Sequence, residues 1–249
     1  MVNSAFDPES GYAVGVDVGG TKINAGIVGE DGEVLHAVNL ETLAGRADTG
    51  ERVAEAVRRL LEEIAAEDRL SGLKLKGIGV GSAGQIEWTT GRVRFSSGLI
   101  PGYGGTDLRG LLRERFRLPV WVDNDVNVLA LTEKRLGAAK GEDDFICLAL
   151  GTGVGGAIVS GGRLVHGGWG GAGELGHLSV AYGGEPCICG GRGCLERYAS
   201  GTNIAGRMRS RLEALGRPAA PGPDAREVVA RWLGGDPVAS SILEEAFAA

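Results

Sequence analysis

No window of this 249-residue chain reaches the 18 or more apolar residues of a membrane span, which excludes a transmembrane helix. The start, Met1 to Ser10, lacks the apolar core of a secretory leader. Basic residues do not dominate: 26 Lys and Arg against 32 Asp and Glu leave a net charge of -6, whereas binding a nucleic acid needs a basic face. Arg207, Arg209, Arg211 and Arg217 form one local basic run, which reads as a solvated helix face. Cysteine is scarce, with four residues. In the cytoplasmic setting these absences imply, thiols serve metals or stay reduced instead of pairing as disulfides.

Glycine, by contrast, is abundant: 45 residues, or about 18% against roughly 7% in an average protein. The glycines follow no collagen-like period and sit in pairs between apolar runs, so they mark turns where backbone must come close to something. With 43% hydrophobic residues the chain can build a core, as one large domain or two small ones.

Tyr12 to Val18 (YAVGVDV) reads as a buried strand, followed by a Gly19-Gly20-Thr21 hairpin and two further strands, through Ile27 and Val34. Val53, Val57, Leu60, Leu61 and Ile64 recur at helical spacing, which predicts a one-faced helix over 51–68. Lys76 to Val80 is a strand entering Gly81-Ser82-Ala83-Gly84, and the residues after it read as loop until a helix over 108–116. Pro119 to Val122 is a strand ending on Asp123-Asn124-Asp125, with Asp123 or Asn124 placed to cap a helix over 126–136. Asp144 to Leu150 then restarts the first pattern as a buried strand with Cys147 in its core, a Gly151-to-Gly156 turn, a strand through Ala157-Ile158-Val159, a Gly161-Gly162 turn and a strand through Arg163-Leu164-Val165. That repeat implies an internal duplication giving two similar lobes. Helices follow over 202–215 and 224–233, and a last one opens at Asp236-Pro237.

His177, Cys187, Cys189 and Cys194 have the type and spacing of a structural zinc site, with glycines that let the thiolates converge. Neither glycine turn matches a known phosphate loop. Residues 15–22 reverse the Lys-Thr order of a P-loop, and both they and residues 151–156 lead into strands where those motifs need a helix. What the turns offer is bare amides plus the hydroxyls of Thr21 and Thr152, a matched pair of anion nests. Asp123 to Asn127 lies where a strand ends and a helix begins, a place suited to a general base and a hydroxyl-binding amide. Asp17, an acid in an apolar strand, needs a partner such as Mg2+ with phosphate.

Taken in order, D-V-G-G-T-K (17–22), G-S-A-G-Q-I (81–86), V-D-N-D-V-N (122–127), L-G-T-G-V-G-G (150–156), G-E-L-G-H (173–177) and C-I-C-G-G-R-G-C-L-E (187–196) resemble the ROK family of sugar kinases over nearly the whole chain. The resemblance implies an α/β, actin-like and RNase H-like ATPase fold with two lobes and a cleft. Residues 1–123 would be the N-terminal lobe, and 124–249 a C-terminal lobe carrying the zinc motif and incomplete at its end. It implies ATP-dependent phosphorylation of a hexose, glucose first, to the 6-phosphate. Asp125 would be the base, and Asn124, Asp125, Glu174, His177, Glu196 and the backbone near Gly84 would hold the sugar. Asp17 would sit near Mg2+, while Gly19, Gly20, Thr21, Lys22, Gly151, Thr152 and Gly153 would hold the phosphates of ATP. Relatives commonly form homodimers or homotetramers.

Two departures stand out. Ala83 occupies a position where many relatives have proline. A second Gly-rich segment for adenine is missing, and Leu243 and Phe247 on the last helix lack a partner surface, so a shortened chain with a complete sugar site and half a nucleotide site is expected. The alternatives are a sugar-binding protein without turnover and a sugar-responsive transcription regulator. Against the regulator, only residues 1–11 precede the first strand, where such relatives carry a helix-turn-helix.

Overall fold

Residues 11–43, 48–67, 70, 72–96, 100–217 and 222–249 are described by the structure, a computed structural model. The leader expectation for Met1 to Ser10 and the predicted helix end at Asp68 lie outside the described residues. Contacts divide the chain into two units, Met1–Asp143 with Gly161–Gly171, and Asp144–Ser160 with Ala172–Ala249.

The first unit runs β1 (Tyr12–Val18), β2 (Lys22–Val28), β3 (Val34–Glu41), α1 (Thr49–Ala66), β4 (Leu75–Ser82), β5 (Gln85–Glu87), β6 (Arg92–Phe95), α2 (Leu108–Phe116), β7 (Val120–Asn124) and α3 (Asp125–Leu136). Its main sheet has the order β3-β2-β1-β4-β7. The first three strands form the antiparallel meander that the hairpin signal predicts, while β4 lies parallel to β1 and β7 parallel to β4. Alternation along β1 buries Val14, Val16 and Val18 and turns Asp17 outward, so that residue is exposed. The cost expected of a buried acid therefore does not arise, and Asn24 Nδ2 donates to the Asp17 carboxylate at 3.0 Å.

Helix α1 buries Val53, Val57, Leu60 and Ile64, each aliphatic side chain contributing about 1.5–3 kcal/mol over exposure. The β5–β6 hairpin replaces part of the loop read after Gly84. Its strands of three and four residues bury only Ile86 and Val93, too short an alternation to register in the sequence.

In the second unit β8 (Phe145–Leu150) pairs antiparallel with β9 (Val154–Ser160), and Leu150 sits opposite Val154 across the glycine turn. Ile146, Leu148 and Leu150 are 49–68% exposed and Cys147 is half-buried, which corrects the reading of β8 as a buried strand with Cys147 in its core. Helices α4 (Glu196–Ala199), α5 (Gly201–Ala214), α6 (Ala225–Leu233) and α7 (Pro237–Phe247) follow. The last three bury Met208, Leu212, Val228, Ala239, Ile242 and Leu243 together.

Leu243 therefore has the partner surface it was expected to lack, and Phe247, although exposed, meets Trp232 edge-on at 5.7 Å. The arginine run is also not simply solvated. Arg207 and Arg211 both pair with Glu245, Arg211 bonds Ser241, and Arg207 lies 5.7 Å above the Tyr198 ring, so they brace α5 against α7. Among the described residues, no helix is long and apolar enough to cross a membrane.

Candidate active site

Because β1, β4 and β7 run in one direction, their carboxyl ends share one edge of the sheet, where α/β folds place functional side chains. Register aligns Asp17 with Gly81 and Gly81 with Asp123; one residue on, Val18 aligns with Ser82 and Ser82 with Asn124. Three motifs far apart in sequence thus meet in two rows. Gly81 leaves the space between the acids free of a side chain, and the Asp125 Cα lies 3.5 Å from where a Cβ on Gly81 would stand.

Asn124 ends β7 and caps α3, its Oδ1 accepting from the N–H groups of Val126 at 2.9 Å and Asn127 at 3.3 Å. Its Nδ2 donates to the Gly84 carbonyl at 3.1 Å. Gly84 is obligatory there: its φ is +99°, and a Cβ would stand 2.6 Å from the Phe95 carbonyl oxygen. Asp125, the first residue of α3, is half-buried and accepts from the Val126 N–H at 3.0 Å. Burial holds its carboxyl above the usual aspartate range, the Asp17 charge adds to the effect, and the amide bond only partly offsets it.

The same edge carries a group that the motifs did not reveal. Asp123 Oδ2 lies 2.7 Å from His166 Nε2, and the imidazole stacks on the Trp88 indole with ring centroids 4.6 Å apart. His166 sits within no recognisable spacing, so nothing in the sequence couples it to residue 123.

Both glycine turns are hairpin corners. In the first, the Gly19 N–H is taken by the Lys22 carbonyl at 2.9 Å; in the second, the Gly151 N–H is taken by Gly153 at 3.0 Å. Among the described residues, the N–H groups of Gly20, Thr21, Thr152 and Gly153 have no acceptor, and Thr21, Lys22, Gly151 and Thr152 are exposed. These amides are the part of each nest open to an anion.

In the second unit Glu174 precedes a short 3-10 turn, Leu175–His177, laid on β9. Gly176 makes that approach possible, since a Cβ there would stand 2.0 Å from the Val154 carbonyl oxygen. Glu196 Oε2 accepts from the Val154 N–H at 3.0 Å, beside Gly153, while the Glu174 carboxylate has no partner among the described residues.

His177 Nδ1 lies 3.5 Å from Cys187 Sγ, and the sulfurs of Cys189 and Cys194 are 3.6 Å apart. All four ligand atoms fall within 4.8 Å of one another. A tetrahedron with Zn–S bonds of about 2.3 Å has edges of about 3.8 Å, so these donors fit zinc, with His177 Nε2 left pointing elsewhere. Cys147 is not in the group.

The ROK family profile matches residues 13–248. The chain belongs to the ROK family. It is 39% identical over 198 residues to the glucokinase of Thermotoga maritima, which covers 79% of this chain and 59% of that protein. The crystal structure of a ROK glucokinase from Streptomyces griseus in complex with glucose and AMPPNP superposes with a TM-score of 0.75 at 33% identity, covering 94% of this chain and 75% of that one. The xylose repressor of Bacillus subtilis is 30% identical over 212 residues, 84% of this chain and 53% of that protein. The fold of this ROK member is accordingly the actin-like ATPase fold, and the chain spans about three-fifths of the length of the curated glucokinases it matches.

Proposed function

We propose that this chain binds a hexose and transfers to it the γ-phosphate of ATP, with glucose as the sugar and glucose 6-phosphate as the product. The observation that carries this reading is Asp125. It is a half-buried carboxylate at the start of a helix, held above its usual pKa and therefore tuned toward a general base, at the edge of the sheet that also presents Asp17. The likeness to glucokinases supports the choice of sugar.

In this reading Asp125 takes the proton from the sugar's 6-hydroxyl as that oxygen attacks phosphorus. The Asn124 amide, the carboxylates of Glu174 and Glu196, and His177 Nε2 hold the sugar's other hydroxyls. The open amides at Gly20, Thr21, Thr152 and Gly153 bind phosphate oxygens, and Lys22 adds charge. Mg2+ arriving with the nucleotide would neutralise phosphate charge near Asp17. Zinc on His177, Cys187, Cys189 and Cys194 would have a filled shell, so its work is to fix the turn that carries Glu174 and His177.

Release of ADP in the presence of glucose tests the proposal. Turnover by the wild-type chain that falls by three orders of magnitude or so in Asp125→Asn, with glucose still bound, is the expected result. The likeness to the xylose repressor, which covers as much of the chain as the glucokinase does, favours a second reading, a sugar-binding domain without turnover. Glucose binding with no ADP from either protein would decide for it.

A further inference from the structure

The Asp123 side chain is fully engaged. Its Oδ1 accepts from the Asn124 N–H at 2.7 Å and from Asn127 Nδ2 at 2.8 Å, and its Oδ2 meets His166 Nε2 at 2.7 Å. An ionised carboxylate only accepts, so the third bond requires a proton on His166 Nε2. Both side chains are largely shielded, at 15% exposure for His166 and 18% for Asp123, and Asn127 is buried.

The imidazole is itself held. Its face lies on the Trp88 indole at an interplanar angle of 20°, and the Trp88 and Thr89 carbonyls accept from the Arg109 guanidinium at 2.8 and 2.5 Å. The segment Gly161–Gly171 that carries His166 belongs by its contacts to the first unit. A row of packed groups thus runs from Arg109 on α2 through the β5–β6 turn and His166 to the first turn of α3.

We infer that His166 is a positioning residue for the phosphoryl acceptor site: through Asp123 it fixes the turn Asn124-Asp125, and so the direction in which the Asp125 carboxylate meets the sugar hydroxyl. The inference rests on the reading of Asp125 as the base. Without the Nε2 donor, Asp123 is free to rotate off Asn127, and the first turn of α3 loses the tie that fixes its phase. A displacement of about 1 Å at such a site costs up to about a hundredfold in rate.

Two variants separate the donor from the packing. His166→Phe keeps a ring to stack on Trp88 but has no donor, whereas His166→Gln keeps an N–H donor without the ring. In ADP-release assays with glucose, His166→Phe should lower kcat at least about tenfold while the sugar KM rises no more than about threefold, and His166→Gln should recover most of the loss. Equal kcat in wild type and His166→Phe, at equal melting temperature, would overturn the inference. So would a fall in His166→Gln as deep as in His166→Phe, because then packing, and not the donor, is what matters. If the wild-type chain binds glucose but releases no ADP, the kinase reading fails by itself. Glucose calorimetry then decides: weaker binding by about threefold in His166→Phe with recovery in His166→Gln supports positioning, and equal affinity in all three proteins refutes it.

Discussion

If Asp125 is the base proposed above, function and stability pull in opposite directions there. Burial and the nearby Asp17 raise its pKa in the folded chain, so the folded state holds that proton more tightly than the unfolded state. The group therefore favours folding below the unfolded aspartate value of about 3.9, and that contribution is lost as pH rises through the raised value. Asp125→Asn removes the charge and keeps an oxygen that can accept from Val126. It should be more stable than wild type at neutral pH, with the gain disappearing as pH drops below the unfolded value. Urea unfolding at pH 7 and at pH 3.5 checks this, and a variant less stable at both would contradict it. If the chain is the glucose kinase proposed above, the acid limb of kcat/KM for glucose should, for the same reason, lie above the ordinary aspartate range and vanish in the variant.

Among the elements, the C-terminal helix shows how far sequence reasoning reaches. Asp236 followed by Pro237 marks its start, and the structure confirms the cap, with Asp236 Oδ1 accepting from Val238 and Ala239. The apolar residues of α7 were legible too, but not their partners, because those lie on α5 and α6 and nothing local records which faces meet. Leu243 exemplifies this: it is 2% exposed, packed in a shared core with Met208 and Val228. Leu243→Ala should then cost about 2–5 kcal/mol, read as a lower urea midpoint at unchanged slope, whereas Phe247→Ala, at a 70% exposed position, should cost much less. Motif residues that act through local geometry, such as the Asn124 cap and the Gly19 hairpin, were readable; the pairing of Asp123 with His166, 43 residues apart, was not. Likewise the row of Asp17, Gly81 and Asp123 is a product of strand register, which parallel pairing across long connections hides from any one stretch of sequence.

On the scale of the whole molecule, the two units differ in what holds them together. Among the described residues, the first has 25 buried hydrophobic residues in one cluster, whereas the principal cluster of the second has six, all among its last three helices. The segment from Leu175 to Glu196 belongs to neither core. It is tied by turns, by the isolated bridges Ser179 with Cys194 and Pro186 with Arg192, and by the Cys/His cluster. Free energies of zinc binding to such ligand sets reach about 10–16 kcal/mol and act as folding energy wherever little apolar burial competes. The chain should therefore carry one zinc per molecule by atomic absorption. Removing that zinc with a strong chelator should raise amide hydrogen exchange across Leu175 to Glu196, leaving β1 and β4 protected as before. Exchange that rises equally in both units would mean the metal supports the whole fold; unchanged exchange in the segment would mean that the four side chains converge without a metal to hold them.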